Sequence, residues 1–157
     1  GNQSWKNEVK DPVVNTPVKS DEEIFADVAS TFRYYYQSYI NASNEKNSDW
    51  IDHCTEALRQ KQAERIYNNN ADYIFENTAI WLDMDSYSVY FSGKYGYADF
   101  YVSVENDAWN RYTNEYVFNN PALSVEAEYD GYSWVITNVD SIDRSWLGSD
   151  YRNITNY

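Results

Sequence analysis

Cysteine and histidine occur once each in these 157 residues, at Cys54 and His53. One thiol excludes an internal disulfide framework and any multi-cysteine metal site, and one imidazole excludes a poly-histidine metal centre. Basic residues are scarce, with 12 Lys and Arg against 25 Asp and Glu, for a net charge of −13. Residues 71–143 hold thirteen of the acids against only Lys94 and Arg111. Such a surface repels phosphate backbones and anionic lipid, so nucleic acid and direct binding to an anionic membrane are disfavoured. No apolar run approaches the ~20 residues of a membrane helix. The five glycines form no phosphate-cradling loop or nucleophile elbow, and nothing indicates a cofactor.

What is abundant is tyrosine and tryptophan, 17 and 6 residues. The length predicts one domain with a substantial core. Residues 1–19, "GNQSWKNEVKDPVVNTPVK", are polar, aperiodic and interrupted by Pro12 and Pro17, and read as a flexible tether in which Trp5 is at most a loose anchor. Residues 20–157 read as the folded domain.

Ser20-Asp21-Glu22-Glu23 has the form of a capping box, and Ile24, Phe25, Val28, Ala29, Phe32, Tyr35, Tyr36, Tyr39 and Ile40 follow at helical steps. A second helix is expected from Ser48 or Asp49, turning Trp50, Ile51, Cys54, Leu58 and Ile66 inward and ending at Asn68-Asn69-Asn70. "ADYIFENTA" reads either as a short third helix or as the entry to a sheet. From residue 79 the period becomes two. Ile80, Leu82 and Met84 alternate with Trp81, Asp83 and Asp85, and later runs end in "ALSVEAEY" and "YSWVITNVDSI" around Asp130-Gly131. Asp-Gly between alternating runs is a strong hairpin signal, because both positions tolerate positive φ. Helices first and a mostly antiparallel sheet of four to six strands afterwards define an α+β fold, with N-terminal helices packed on one face of a curved sheet.

This order, closed by Asp130-Gly131-Tyr132-Ser133-Trp134-Val135-Ile136, resembles the nuclear-transport-factor-2-like (cystatin-like cone) superfamily over residues 20 to about 143. With its tether, acidity and Asn/Tyr richness, the chain also resembles extracytoplasmic domains of that fold in bacterial lipoproteins and membrane-anchored proteins. The resemblance implies an extracytoplasmic location. Enzymes of the superfamily work with an Asp or His inside the cone, but no catalytic motif of theirs matches here residue by residue, and fold alone does not give function.

Each chemical candidate has a structural alternative. Adjacent helical residues point about 100° apart, so His53 is poorly placed to activate Cys54, which falls on the apolar stripe and reads as an inert core thiol. His53 reads as a partly exposed helix histidine. Asp83-Met84-Asp85 lacks the spacing of a calcium loop, and alternation turns both aspartates outward as a solvated, edge-protecting pair. No metal site is expected. Asp99, between Ala98 and Phe100, is the one weak candidate for a catalytic acid, since alternation lets it face either the cone interior or water. Tyr34, Tyr35 and Tyr36 cannot all face one core. Exposed rings beside carboxylates suit sugar stacking or a protein interface.

The expectation is therefore a non-catalytic binding domain, with an envelope glycan or a protein as partner. The alternatives are a small-molecule binder or isomerase-like enzyme using an acid inside the cone, and a structural module whose apolar sheet face is closed by a second copy. Any pocket is expected at the wide end of the cone, lined by Tyr36, Trp81, Tyr101, Trp109 and Trp134.

Overall fold

A computed structural model describes residues 18–157; Trp5 and all of the tether except Val18 and Lys19 lie outside the described residues. Helix α1 spans Asp21–Glu45. Its capping box forms as read: the Ser20 hydroxyl accepts from the Glu23 N–H at 3.1 Å and the Glu23 carboxylate from the Ser20 N–H at 2.9 Å. Three acids in its first turn complement the positive end of the helix dipole. Its stripe from Phe25 to Ile40 is buried as expected. Of the tyrosine triplet, Tyr35 and Tyr36 turn inward while Tyr34 stays outside and stacks on His53, 5.4 Å between centroids.

The second helix departs from its expected start. Ser48–Trp50 is a single 3₁₀ turn, residues 51–55 form an irregular link, and α2 spans Glu56–Tyr67 with Thr55 as its N-cap. Two observations explain the shift. His53 sits at φ 59°, which no helix accommodates. The 53–55 segment also bonds to a strand, Ile136 N–H donating to the His53 carbonyl and Thr55 N–H to the Ile136 carbonyl. Trp50 is consequently exposed rather than inward, and His53 is a loop residue; Ile51, Leu58 and Ile66 remain buried. Cys54 is half-buried beside the sheet, and burial pushes its thiol up to about 11.

Strands β1 (Tyr73–Ser92) and β2 (Tyr95–Asn110) form a long hairpin, which settles "ADYIFENTA" as the entry to the sheet. Strands β3 (Glu115–Asn119), β4 (Ala122–Tyr129), β5 (Trp134–Ser141) and β6 (Tyr151–Asn153) complete a six-stranded antiparallel sheet. The spatial order is β5-β4-β2-β1-β6, with β3 beside the end of β2, and the sheet does not close. Two register breaks in β1, after Glu76 and after Asp83, bend the long hairpin, as bulges do. The predicted hairpin forms with Tyr129 opposite Trp134, and its four-residue loop is closed by the Asp130 carboxylate, which accepts from the Tyr132 and Ser133 N–H groups. Gly131 supplies the required φ of 101°.

Both helices lie on one face of this sheet. Leu123, Val125 and Ala127 point into the interface, as do Trp134 and Ile136. Rings fill the space between the layers. Phe32 packs on Tyr35, Tyr36 and Phe100 at 5.7–5.8 Å between centroids, and Tyr39 continues the cluster.

Candidate functional site

The cleft that combines shape with unanswered polarity opens where α1 and α2 end, β1 and β4 begin, and β2 and β5 finish. It encloses about 260 Å³. Tyr36 and Tyr39 reach it from α1, Gln62 and Arg65 from α2, Asn106 from β2 and Asn119 from β3.

Gln62 and Asn106 define its chemistry. Each is 2% exposed, and among the described residues each holds one side-chain polar atom without a hydrogen-bond partner. Gln62 Nε2 donates to the Tyr35 hydroxyl at 2.7 Å, leaving Oε1 free. Asn106 Oδ1 accepts from Asn119 Nδ2 at 2.9 Å, leaving Nδ2 free. Reversing an amide exchanges which atom is free but supplies no partner. A buried polar group without a partner costs on the order of 1–3 kcal/mol, so two such groups lining one cleft call for a reason.

The surroundings add donors and rings. The Tyr36 side chain lines the cleft, and burial raises its ionisation far above the ordinary tyrosine range. Burial also raises that of Tyr39, against the pull of the nearby Arg65 guanidinium, and the Tyr39 hydroxyl accepts from Asn70 Nδ2 at 2.9 Å. Arg65 has no ion-pair partner among the described residues. The lining contains amides, phenols and a guanidinium, and among the described residues no carboxylate, imidazole or thiol. It can exchange hydrogen bonds and pack ring faces, but offers no general base of the ordinary kind.

The residues singled out from the sequence do not converge. Tyr36 lines this cleft. Trp134 packs at the other end of the domain against Phe91 and Tyr129, 6.0 and 5.5 Å between centroids. Trp81 donates its indole N–H to Glu105 at 2.5 Å, and Trp109 packs on Tyr116 at 4.7 Å. Tyr101 stands opposite Trp146 at 6.4 Å in a separate groove of about 460 Å³ on the outer sheet face. Asp99 is exposed in that same groove, on the side away from the helices.

Asp83 corrects the expectation of a solvated pair. It does lie on the outer face, but it is 1% exposed, because the loop leading into β6 crosses over it. Its carboxylate accepts from the Asp85 and Gly148 N–H groups at 3.0 and 2.9 Å, and Asp85 accepts from Ser149 at 2.9 Å. These acids anchor the C-terminal segment. Among the described residues no group of three or more His, Cys, Asp or Glu is placed to hold a metal ion, and no helix is long and apolar enough to cross a membrane.

Gln62 and Asn106 went unnoticed in the sequence, although each carried a signal. Gln62 lies four residues from both Leu58 and Ile66, on the buried stripe of α2. Asn106 follows Phe100, Val102 and Val104 at the inward period of β2. A polar residue on an apolar stripe is the mark both share. Compared with known proteins, the chain matches no family model and no curated sequence.

Proposed function

We propose that this is a non-catalytic binding domain that takes a neutral, hydroxyl-rich ligand, a sugar unit of an envelope glycan, in the cleft between Tyr36, Gln62 and Asn106. The observation that carries this reading is a pair of cleft-lining residues, Gln62 and Asn106, each with a buried amide atom that a small side-chain rotation would turn toward a ligand and that has no partner among the described residues. A sugar hydroxyl both donates and accepts, so one ligand answers a free carbonyl oxygen and a free amide N–H together. Tyr36, Tyr39 and Phe75 line the cleft and give the apolar side of a pyranose aromatic surface to pack against. That the described lining holds no carboxylate or imidazole favours capture over turnover. The net charge of −13 favours a neutral ligand over a phosphate-bearing one.

The helix-then-sheet order and the curved sheet support a place in the nuclear-transport-factor-2-like cone superfamily; the acidity, the Asn/Tyr richness and the sequence of residues 1–19 support an extracytoplasmic, tethered setting. Thermal shift of the full chain against glycan fragments, apolar small molecules, calcium and polyamines tests the function. A ligand at ~100 times its Kd stabilises by about 2.7 kcal/mol. The expected result is a shift with a glycan fragment that disappears in Asn106→Leu and Gln62→Met. A shift confined to calcium or polyamines, or one that survives both substitutions, would overturn the assignment.

A further inference from the structure

The sheet covers several stretches of its edges by specific devices. The β5 edge is covered by the 53–55 segment, through the two backbone bonds to Ile136. The start of β1 is covered by Asn44, whose amide mimics a backbone neighbour: Nδ2 donates to the Phe75 carbonyl at 2.9 Å and Oδ1 accepts from the Phe75 N–H at 2.8 Å. Further along β1, Ile80 bonds through its N–H to the Thr155 hydroxyl and through its carbonyl to the Ile154 N–H. Among the described residues strand β3 has no such cover: it pairs with β2 on one side and with no strand on the other.

Little in β3 discourages pairing beyond its five-residue length and Glu115. Natural edges are blunted by lysine, proline, bulges or inward charges. Glu115–Asn119 reads Glu-Tyr-Val-Phe-Asn, contains none of the first three, and exposes its only charge. Tyr116, Val117 and Phe118 are 57%, 53% and 62% exposed. The geometry points to a second copy of this chain as the occupant, pairing antiparallel along β3 with Val117 on the two-fold axis.

The sequence of the strand suits that occupant and register. With Val117 opposite its twin, Tyr116 faces Phe118 of the second copy, and Glu115 faces Asn119. Every pair is then apolar with apolar or charge with amide, and no like charges meet, which is what cross-strand pairing favours. The contact joins two open sheets into one across an isologous interface. Five residues a side make it small, below the ~1,000 Å² of a stable complex, so the dimer is weak and concentration-dependent. Each copy carries a charge of −13, so added salt tightens the dimer by screening.

Sedimentation of the full chain over about 1 to 300 µM, at low and high salt, gives the first readout. A dimer that strengthens with salt is expected. Val117→Lys places two cations face to face on the axis and should weaken dimerisation at least tenfold, with its melting temperature unchanged because the site is exposed. Val117→Cys should form an intermolecular disulfide under mild oxidation at least tenfold faster than Tyr116→Cys, with the unsubstituted chain as the blank. A chain monomeric at every concentration and salt level would overturn the proposal. So would a dimer indifferent to Val117→Lys, or equal cross-linking at positions 116 and 117.

Discussion

The pairing of Tyr35 with Gln62 allows a sharp test of whether the cleft keeps polarity at the expense of stability. Both side chains are buried and joined by one 2.7 Å hydrogen bond, while Gln62 Oε1 has no partner. Tyr35→Phe removes the hydroxyl and leaves both ends of the amide unanswered, which should cost about 1–3 kcal/mol. Gln62→Met keeps the volume and deletes the orphan oxygen but strands the Tyr35 hydroxyl. Those two effects offset, and the variant should lie within about 1 kcal/mol of the parent. The double variant removes all three polar atoms from a site surrounded by Phe32, Tyr36 and Tyr39. It should equal or exceed the parent by up to about 2 kcal/mol, giving a coupling on the order of 2–3 kcal/mol between the two positions. Urea unfolding with an unchanged m-value reads these numbers from the midpoints. Single effects that add, to within about 0.5 kcal/mol, would refute the reasoning.

Further expectations concern the strap, the sheet edge and alkaline pH. Asp83→Asn replaces a buried acceptor of two backbone N–H groups with an amide that can answer only one; a loss of about 2–3 kcal/mol, or roughly 6–9 °C in Tm for a domain of this size, should accompany faster hydrogen exchange at Gly148. Asn44→Ala uncovers both backbone groups of Phe75 and should cost about 1–3 kcal/mol, with the Phe75 amide losing exchange protection; an unchanged amide would contradict the capping role. Burial raises the ionisation of Tyr35, Tyr36 and Tyr39 above the unfolded value of about 10. The unfolded chain therefore loses these protons first, so stability is intact below pH ~10 and falls as pH rises beyond it. Tyrosinate absorbance should accordingly appear in two stages, the second coinciding with unfolding, and a single stage on a folded chain would contradict it.

Much of the fold was legible because its signals are local. The Ser20–Glu23 box and the stripe from Phe25 to Ile40 need only a helix period. The alternation of Leu123, Val125 and Ala127 needs only a strand period, and Asp130-Gly131 marks the turn between β4 and β5. The start of α2 was misread because Trp50, Ile51, Cys54 and Leu58 are spaced as a helix would space them. What breaks that pattern is non-local, the capture of residues 53–55 by Ile136. Asp83 was misread for the same reason: its face follows from alternation, but its burial depends on Gly148, 65 residues later. The cleft was half legible. Tyr36 stands out by its ring, whereas Gln62 and Asn106 are single polar members of otherwise apolar stripes. Which stripes converge on one cleft depends on how helices and strands are stacked, and no single stripe contains that.

The central claim is that the free amide atoms of Gln62 and Asn106 await a hydroxyl-rich ligand. The most direct measurement is a ¹H–¹⁵N NMR titration of the chain with envelope glycan fragments, following the side-chain amide signals of these two residues, assigned by Gln62→Met and Asn106→Leu. Both signals should shift and saturate with one common Kd, while that of Asn77, exposed within a β1 bulge, bonded to Asp107 and outside the cleft lining, stays still. Glycan binding that moves neither signal, or saturating concentrations that move nothing at all, would contradict it.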